Sequence, residues 1–339
     1  MNVELVVENR SEQLLLKALM FGASDIHIVP TSSNYSIHFR KYGKLFNAGD
    51  LSEDLGSRMI SYFKFLSSLD ISEKRKPQSG SFQKNLQDKL FSFRVSTLPS
   101  VFQKESVVIR LMIQNATHSI SSLCYYQKSA DKLINLISNR QGLLLFCGAT
   151  GSGKTTSMYS LINYSSDTLS RHVISLEDPV ERSHENLLQI QVNERAGVTY
   201  AAGLKAILRH SPDVIMIGEI RDHETAKIAI EAALTGHLVL STIHAKDSVN
   251  CIYRLMDLGI TLEEIRQSLV GVVAQCLVQD EKMDNRKALY EILSDSFLYE
   301  AILATMRGEQ YHLPKSETLL YQMQAIEVKK QIAPKSIGL

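Results

Sequence analysis

The chain has 339 residues, enough for two domains, and its 44% hydrophobic content can fill a sizeable core in each. A formal net charge of +1 argues against a strongly basic nucleic-acid platform while leaving room for a local basic patch. No apolar run approaches the ~20 residues of a membrane-spanning helix; the start "MNVELVVENR" lacks the cationic and apolar regions of a signal peptide. The four cysteines are scattered without a CxxC pair, so the expectation is a cytoplasmic protein with reduced thiols and no zinc site.

Residues 11–28, "SEQLLLKALMFGASDIHI", begin with helical spacing at Leu14, Leu15, Ala18 and Leu19 and turn extended at Asp25. "YSIHFRKYGKL" alternates Tyr35, Ile37 and Phe39 against Ser36, His38 and Arg40; "KLFSFRVSTLP" sets Phe91, Phe93 and Val95 against Ser92, Arg94 and Ser96; "SVVIRLMI" follows with Arg110. Residues 1–113 therefore read as a small α+β domain with a mainly antiparallel sheet. The periodicity breaks over 114–128, the candidate linker. From 129 to 295 short apolar runs ("GLLLFC", "HVISLED", "VIMIGE", "HLVLSTI") alternate with helical segments, which predicts an α/β domain with a mostly parallel sheet covered on both faces. Residues 296–339 carry helical spacing alone.

"GATGSGKTT" fits G-x-x-x-x-G-K-[ST], with an apolar strand before it and a helix after. Glycines let backbone amides wrap phosphates, and the helix N-terminus adds its positive end. Gly148, Thr150, Gly151, Ser152, Gly153, Lys154, Thr155 and Thr156 are thus the expected nucleoside triphosphate site. Lys154 would reach the β- and γ-phosphates, and the Thr155 hydroxyl would ligate Mg²⁺. Two acidic strand ends are candidates to complete it: Glu177, Asp178 and Glu181 in "SLEDPVE", and Glu219 in "VIMIGEIRD". In open α/β sheets ligands sit at the carboxyl ends of the strands, so both clusters should face the phosphate loop. His237 and His244 bracket a further apolar strand. Seven extended residues separate two rings by about 20 Å, so they cannot share one metal ion.

Together these stretches resemble the type II secretion and type IV pilus traffic ATPases. The phosphate loop, the acidic box "SLEDPVE", the strand segment "LRHSPDVIMIGEIRDHETA" and the histidine box "TGHLVLSTIHAKDS" stand in the family's order. "ASDIHIVP", "FRKYGKL" and "FRVSTLPSVFQKESVVIRL" resemble its N2 domain. The likeness spans about residues 20–295. Its N1 domain and four-cysteine insertion are missing, which is similar to the short competence pseudopilus branch.

The resemblance implies a RecA-like P-loop ATPase domain behind an N2-type domain. It also implies ATP and Mg²⁺ as ligands, and a homohexameric ring at the inner face of the membrane. The ring would drive a platform protein and, through it, pilins, without direct nucleic-acid binding. Glu219, Glu177, Lys154 and His237 would be catalytic, with His237 near the glutamates sensing the γ-phosphate and His244 at the strand's far end. Arg94 and Arg110 would approach the nucleotide; Arg40, Arg209 and Arg221 would lie at interfaces. A retraction or conjugation motor and a DNA translocase are the alternatives.

Overall fold

The computed structural model describes residues 3–332 except 88, 113–117, 181–183, 185 and 281–284. The chain divides into two compact units, Met1–Ala116 and Thr117–Leu339.

The first unit runs α1 (Val3–Phe21), β1 (Asp25–Pro30), β2 (Asn34–Lys41), β3 (Lys44–Ser52), α2 (Glu53–Leu66), β4 (Gln78–Leu86), β5 (Lys89–Pro99) and β6 (Glu105–Met112). Its six-stranded sheet has the order β3-β2-β1-β6-β5-β4, and each adjacent pair is antiparallel. Strand alternation separates the two faces. Ile26, Ile28, Ile37, Phe93, Val95, Val107 and Ile109 are buried and join Leu14, Leu15, Ala18 of α1 and Met59, Ile60, Phe63 of α2 in one core. The Ser52 hydroxyl caps α2 through Leu55 N. The other face is polar. The register sets Arg40 opposite Asp25, Asp25 opposite Arg110, and Arg110 opposite Arg94, so four charged residues form one row across four strands.

The second unit runs α3 (Ile120–Leu123), α4 (Gln127–Ser138), β7 (Gly142–Cys147), α5 (Lys154–Asp167), β8 (Val173–Glu177), β9 (Leu188–Gln191), α6 (Tyr200–Ile207), β10 (Val214–Ile217), α7 (His223–Leu234), β11 (Leu238–Thr242), α8 (Asn250–Asp257), α9 (Leu262–Ser268), β12 (Leu269–Asp280), β13 (Asn285–Ser294), α10 (Asp295–Met306) and α11 (Leu319–Ile332). The seven-stranded sheet has the order β13-β12-β7-β11-β10-β8-β9, parallel throughout except the β12–β13 hairpin. Leu143, Leu145 and Cys147 pack toward α6–α10, while Leu144 and Phe146 pack toward α3–α5. Both faces are covered, which is why β7 reads as an unbroken apolar run.

The linker expected over 114–128 is in part packed structure. Residues 113–117 lie outside the described ones, but Ile120 and Cys124 are buried, Cys124 bridges to Ala288, and the Ser160 hydroxyl donates to His118 O at 2.6 Å. An apolar pair in a single helical turn is too short a pattern to register as periodicity. The helical tail also packs on this unit, through Leu298, Ala301 and Ile302 of α10 and Ile326 of α11.

Candidate active site

Parallel strands put all their C-terminal ends at one sheet edge, and the phosphate loop opens there after β7. Gly148, Gly151 and Gly153 have φ of 132°, 78° and 87°, values that side chains with a Cβ rarely adopt. At Gly148 a Cβ would also stand 2.5 Å from the Gln275 carbonyl oxygen. Lys154, the first residue of α5, folds back so that Nζ donates to Gly148 O (2.8 Å) and Ala149 O (3.0 Å). Burial pushes its amine below the ordinary lysine range, while Cys147 and Glu219 pull the other way. Thr155 and Thr156 follow half-buried in the first turn of α5, and Thr150 is exposed on the loop. Ser152 is buried, and its hydroxyl is left without a hydrogen-bond partner.

Glu219 follows β10, two strands from β7. Its carboxylate is 16% exposed; Arg221 donates to Oε1, and His244 Nε2 lies 3.6 Å from Oε2. Arg221, expected as an interface residue, is thus occupied by the acidic side chain, which also raises its pKa. The Gly218 backbone is locked from both sides: N donates to Leu176 O at 2.8 Å, and its carbonyl accepts from the Thr242 hydroxyl at 2.7 Å. A Cβ at 218 would meet the Tyr200 hydroxyl at 2.8 Å, a physical reason for glycine before Glu219. The Tyr200 phenol is itself pushed up by burial and then by Glu219.

Glu177 ends β8 at the same edge but is 3% exposed. The Tyr159 hydroxyl lies 2.7 and 2.6 Å from its two oxygens, the Ser175 hydroxyl donates at 2.7 Å, and Gln189 Nε2 donates at 3.3 Å. Tyr159 is five residues beyond Lys154 on α5, so this carboxylate is tied to the phosphate-loop helix. Asp178 is exposed, and Glu181 lies outside the described residues.

The two histidines exchange the positions expected of them. His237 precedes β11 and is at the opposite sheet edge from the phosphate loop: its carbonyl accepts from Gly142 N, the start of β7, and Nδ1 pairs with Ala232 O at 3.1 Å. A residue that opens a parallel strand cannot reach the C-terminal edge, five residues or about 16 Å away. His237 is therefore not beside the glutamates, and His244 is. Arg209 sits after α6 and before β10, exposed, with its guanidinium on Lys205 O.

Within the first unit, Arg110 Nε donates to Asp25 Oδ1 at 2.9 Å, and Arg40 and Arg94 are exposed in the same row. Sequence reasoning missed Gln275, Tyr159 and Tyr200. Gln275 is 2% exposed on β12, and Nε2 donates to Ser152 O at 2.8 Å, pinning the loop from the strand beside it. The signal available was a glutamine inside the apolar run "VGVVAQCLV", where a buried amide needs a partner. Among the described residues no cluster of His, Cys, Asp and Glu could hold a metal ion by itself.

The family model "Type II/IV secretion system protein" matches residues 3–331. Among curated proteins the chain is 48% identical to "Competence protein ComGA" of Bacillus subtilis (strain 168) over 272 residues, 80% of this chain and 76% of that one. It is 42% identical to "Competence protein ComGA" of Halalkalibacterium halodurans over 315 residues, 88% and 90% of the two chains. Among solved structures it resembles the pilus retraction motor PilT with bound ADP at a TM-score of 0.70 and 25% identity, covering 96% of this chain and 97% of that one. With its antiparallel first sheet, its phosphate loop on a parallel second sheet and a family match from residue 3 to 331, the chain belongs to the type II/IV secretion system protein family.

Proposed function

We propose that this chain is a Mg²⁺-dependent ATPase that, as a homohexameric ring on the inner face of the membrane, drives assembly of a competence pseudopilus through a membrane platform protein. The observation that carries the reading is the convergence of Lys154, Glu219 and His244 on one edge of a parallel sheet, in a chain 48% identical to a competence protein. Lys154 and the loop amides would neutralise the β- and γ-phosphates, exchanging the lysine's two carbonyl partners for phosphate oxygens. Mg²⁺ would be held by the Thr155 hydroxyl in the first turn of α5 together with the nucleotide's phosphates, with Glu177 acting through the ion's water shell; when bound, it would supply further positive charge at the phosphates. Glu219 orients the attacking water, and Glu177, held by Tyr159, assists. Arg94 and Arg110 complete the nucleotide site of a neighbouring subunit.

The test is Mg²⁺-dependent ATP hydrolysis by the purified protein with and without single- and double-stranded DNA, with Lys154→Ala as the blank. Hydrolysis indifferent to DNA supports a motor that works on protein; strong stimulation by DNA overturns this in favour of a translocase. Glu219→Gln is expected to bind ATP and lose at least about 100-fold in kcat, the low end of what a general base contributes. Near-normal turnover in that variant moves the water-orienting role to Glu177.

A further inference from the structure

β13 carries two consecutive buried polar residues on opposite sheet faces, and each reaches a different element of the nucleotide edge. The Tyr290 hydroxyl lies 2.8 Å from the Ser157 hydroxyl on α5, three residues beyond Lys154. Glu291 points to the other face. It shares its row with Ala274 of β12 and Cys147 of β7, the residue just before the phosphate loop. There its Oε1 accepts from both the backbone N (3.1 Å) and the hydroxyl (2.6 Å) of Ser248.

Ser248 belongs to the segment that joins β11 to α8, four residues beyond His244, and is fully buried. The start of that segment is held by Ile243 N donating to Phe146 O, and its end by Asn250 N donating to Asp247 Oδ1. Glu291 supplies the anchor between these points. His244 itself is exposed, and among the described residues its charged partner is Glu219. Its place therefore depends on how the segment is pinned.

The second Glu291 oxygen accepts from Leu319 N, the first amide of α11, at 3.1 Å. A carboxylate at a helix N-terminus satisfies a free amide and favours the positive end of the dipole. Gln322, one turn on, donates Nε2 to Tyr290 O at 2.9 Å. One helix of the tail is thus seated on both residues that brace the nucleotide edge.

Resting on the ATPase reading above, we propose that Glu291 is a positioning residue: it holds the Ser248 segment so that His244 stands at Glu219, and it makes that placement depend on the seating of α11. The carboxylate is suited to both tasks because it alone can accept on both oxygens. Glutamine has one acceptor and must release either Ser248 or Leu319.

The experiment measures kcat and KM for ATP of Glu291→Gln in the full-length chain, in the native and the His244→Ala backgrounds. Expected is a loss of about tenfold in kcat, as for one hydrogen bond to a charged group, with KM changed less than about twofold. In the His244→Ala background Glu291→Gln should cause little further loss, because the residue through which it acts is gone. Equal losses in both backgrounds overturn the proposal and leave Glu291 a stabilising residue only. Ser248→Ala removes the 2.6 Å bond with less disturbance to folding and should show the same dependence on His244.

The α11 arm compares Leu319→Pro with Leu319→Ala. Both remove the leucine side chain, but only proline removes the amide N–H that Glu291 accepts from, and proline is tolerated at a first helical position. A lower kcat for proline alone supports the coupling; identical kcat values overturn it. A native chain that hydrolyses no ATP overturns the ATPase reading itself, whereas an active native chain with additive variants overturns only the role of Glu291.

Discussion

His244 shows how much a single position depends on strand direction. Its imidazole is 69% exposed, yet its Nε2 is 3.6 Å from the Glu219 carboxylate, where a proton or a phosphate oxygen could be met. His237 is held by backbone at the far edge of the sheet. His244→Ala is expected to lower kcat by about tenfold or more, within the range of positioned acid–base groups, while His237→Ala should stay within about twofold of native turnover at temperatures where it is folded. Steady-state kinetics on the two variants decides it; a larger kcat loss for His237→Ala would sink the assignment. The phosphate loop was legible because its chemistry is contiguous, nine residues that need nothing from elsewhere. The order of the histidines was also within reach: once the run 238–243 is taken as a parallel strand, the residue after it, and not the one before, faces the ligand edge. Gln275 left a trace as a polar residue inside an apolar run, but its partner did not, and Tyr159 and Tyr200 were not legible, since each meets the loop or a glutamate only through pairing between distant strands and helices. That pairing is tertiary and leaves no local pattern.

Among elements, the turn from β7 into α5 is the most constrained. Gly148 faces the backbone of β12 at a distance that admits no Cβ, whereas Gly151 has nothing within 4 Å of where a Cβ would stand. Both carry positive φ, so alanine strains each by about 1–2 kcal/mol. Only Gly148→Ala must also push β12 and the phosphate loop apart. It is expected to lower the melting temperature clearly and to abolish nucleotide binding, while Gly151→Ala should fold with a small loss. Thermal unfolding and titration with a fluorescent nucleotide compare them, and equal losses at the two positions would refute the steric argument. The rhythm of β7 to β11 could be read in advance because buried parallel strands announce themselves as apolar runs. The packed turn at α3 could not, because four residues carry too little periodicity and its burial depends on β13, more than 160 residues later.

At the scale of the whole molecule, the polar face of the first sheet is the feature that the chain's near-neutral charge conceals. Arg40, Arg110 and Arg94 stand in one row with a single carboxylate, Asp25, so the row carries excess positive charge inside a chain whose net charge is +1. Such a row suits the phosphates of a nucleotide better than a duplex, since three arginines give a footprint too small for the contacts that a nucleic-acid binder accumulates. In the proposed ring each row serves the phosphate loop of the next subunit, and that arrangement has a signature no monomer can imitate. Lys154→Ala lacks the lysine but keeps the arginines; Arg94→Ala combined with Arg110→Ala keeps the lysine but lacks the row. Each alone is expected to be nearly inactive. Mixed in equal amounts and allowed to exchange subunits, they should recover hydrolysis, because about a quarter of the contacts in a randomly mixed closed ring pair an intact lysine with an intact row. If instead the row served the phosphate loop of its own chain, no mixed ring would contain a complete site, and the mixture would stay as inactive as its components.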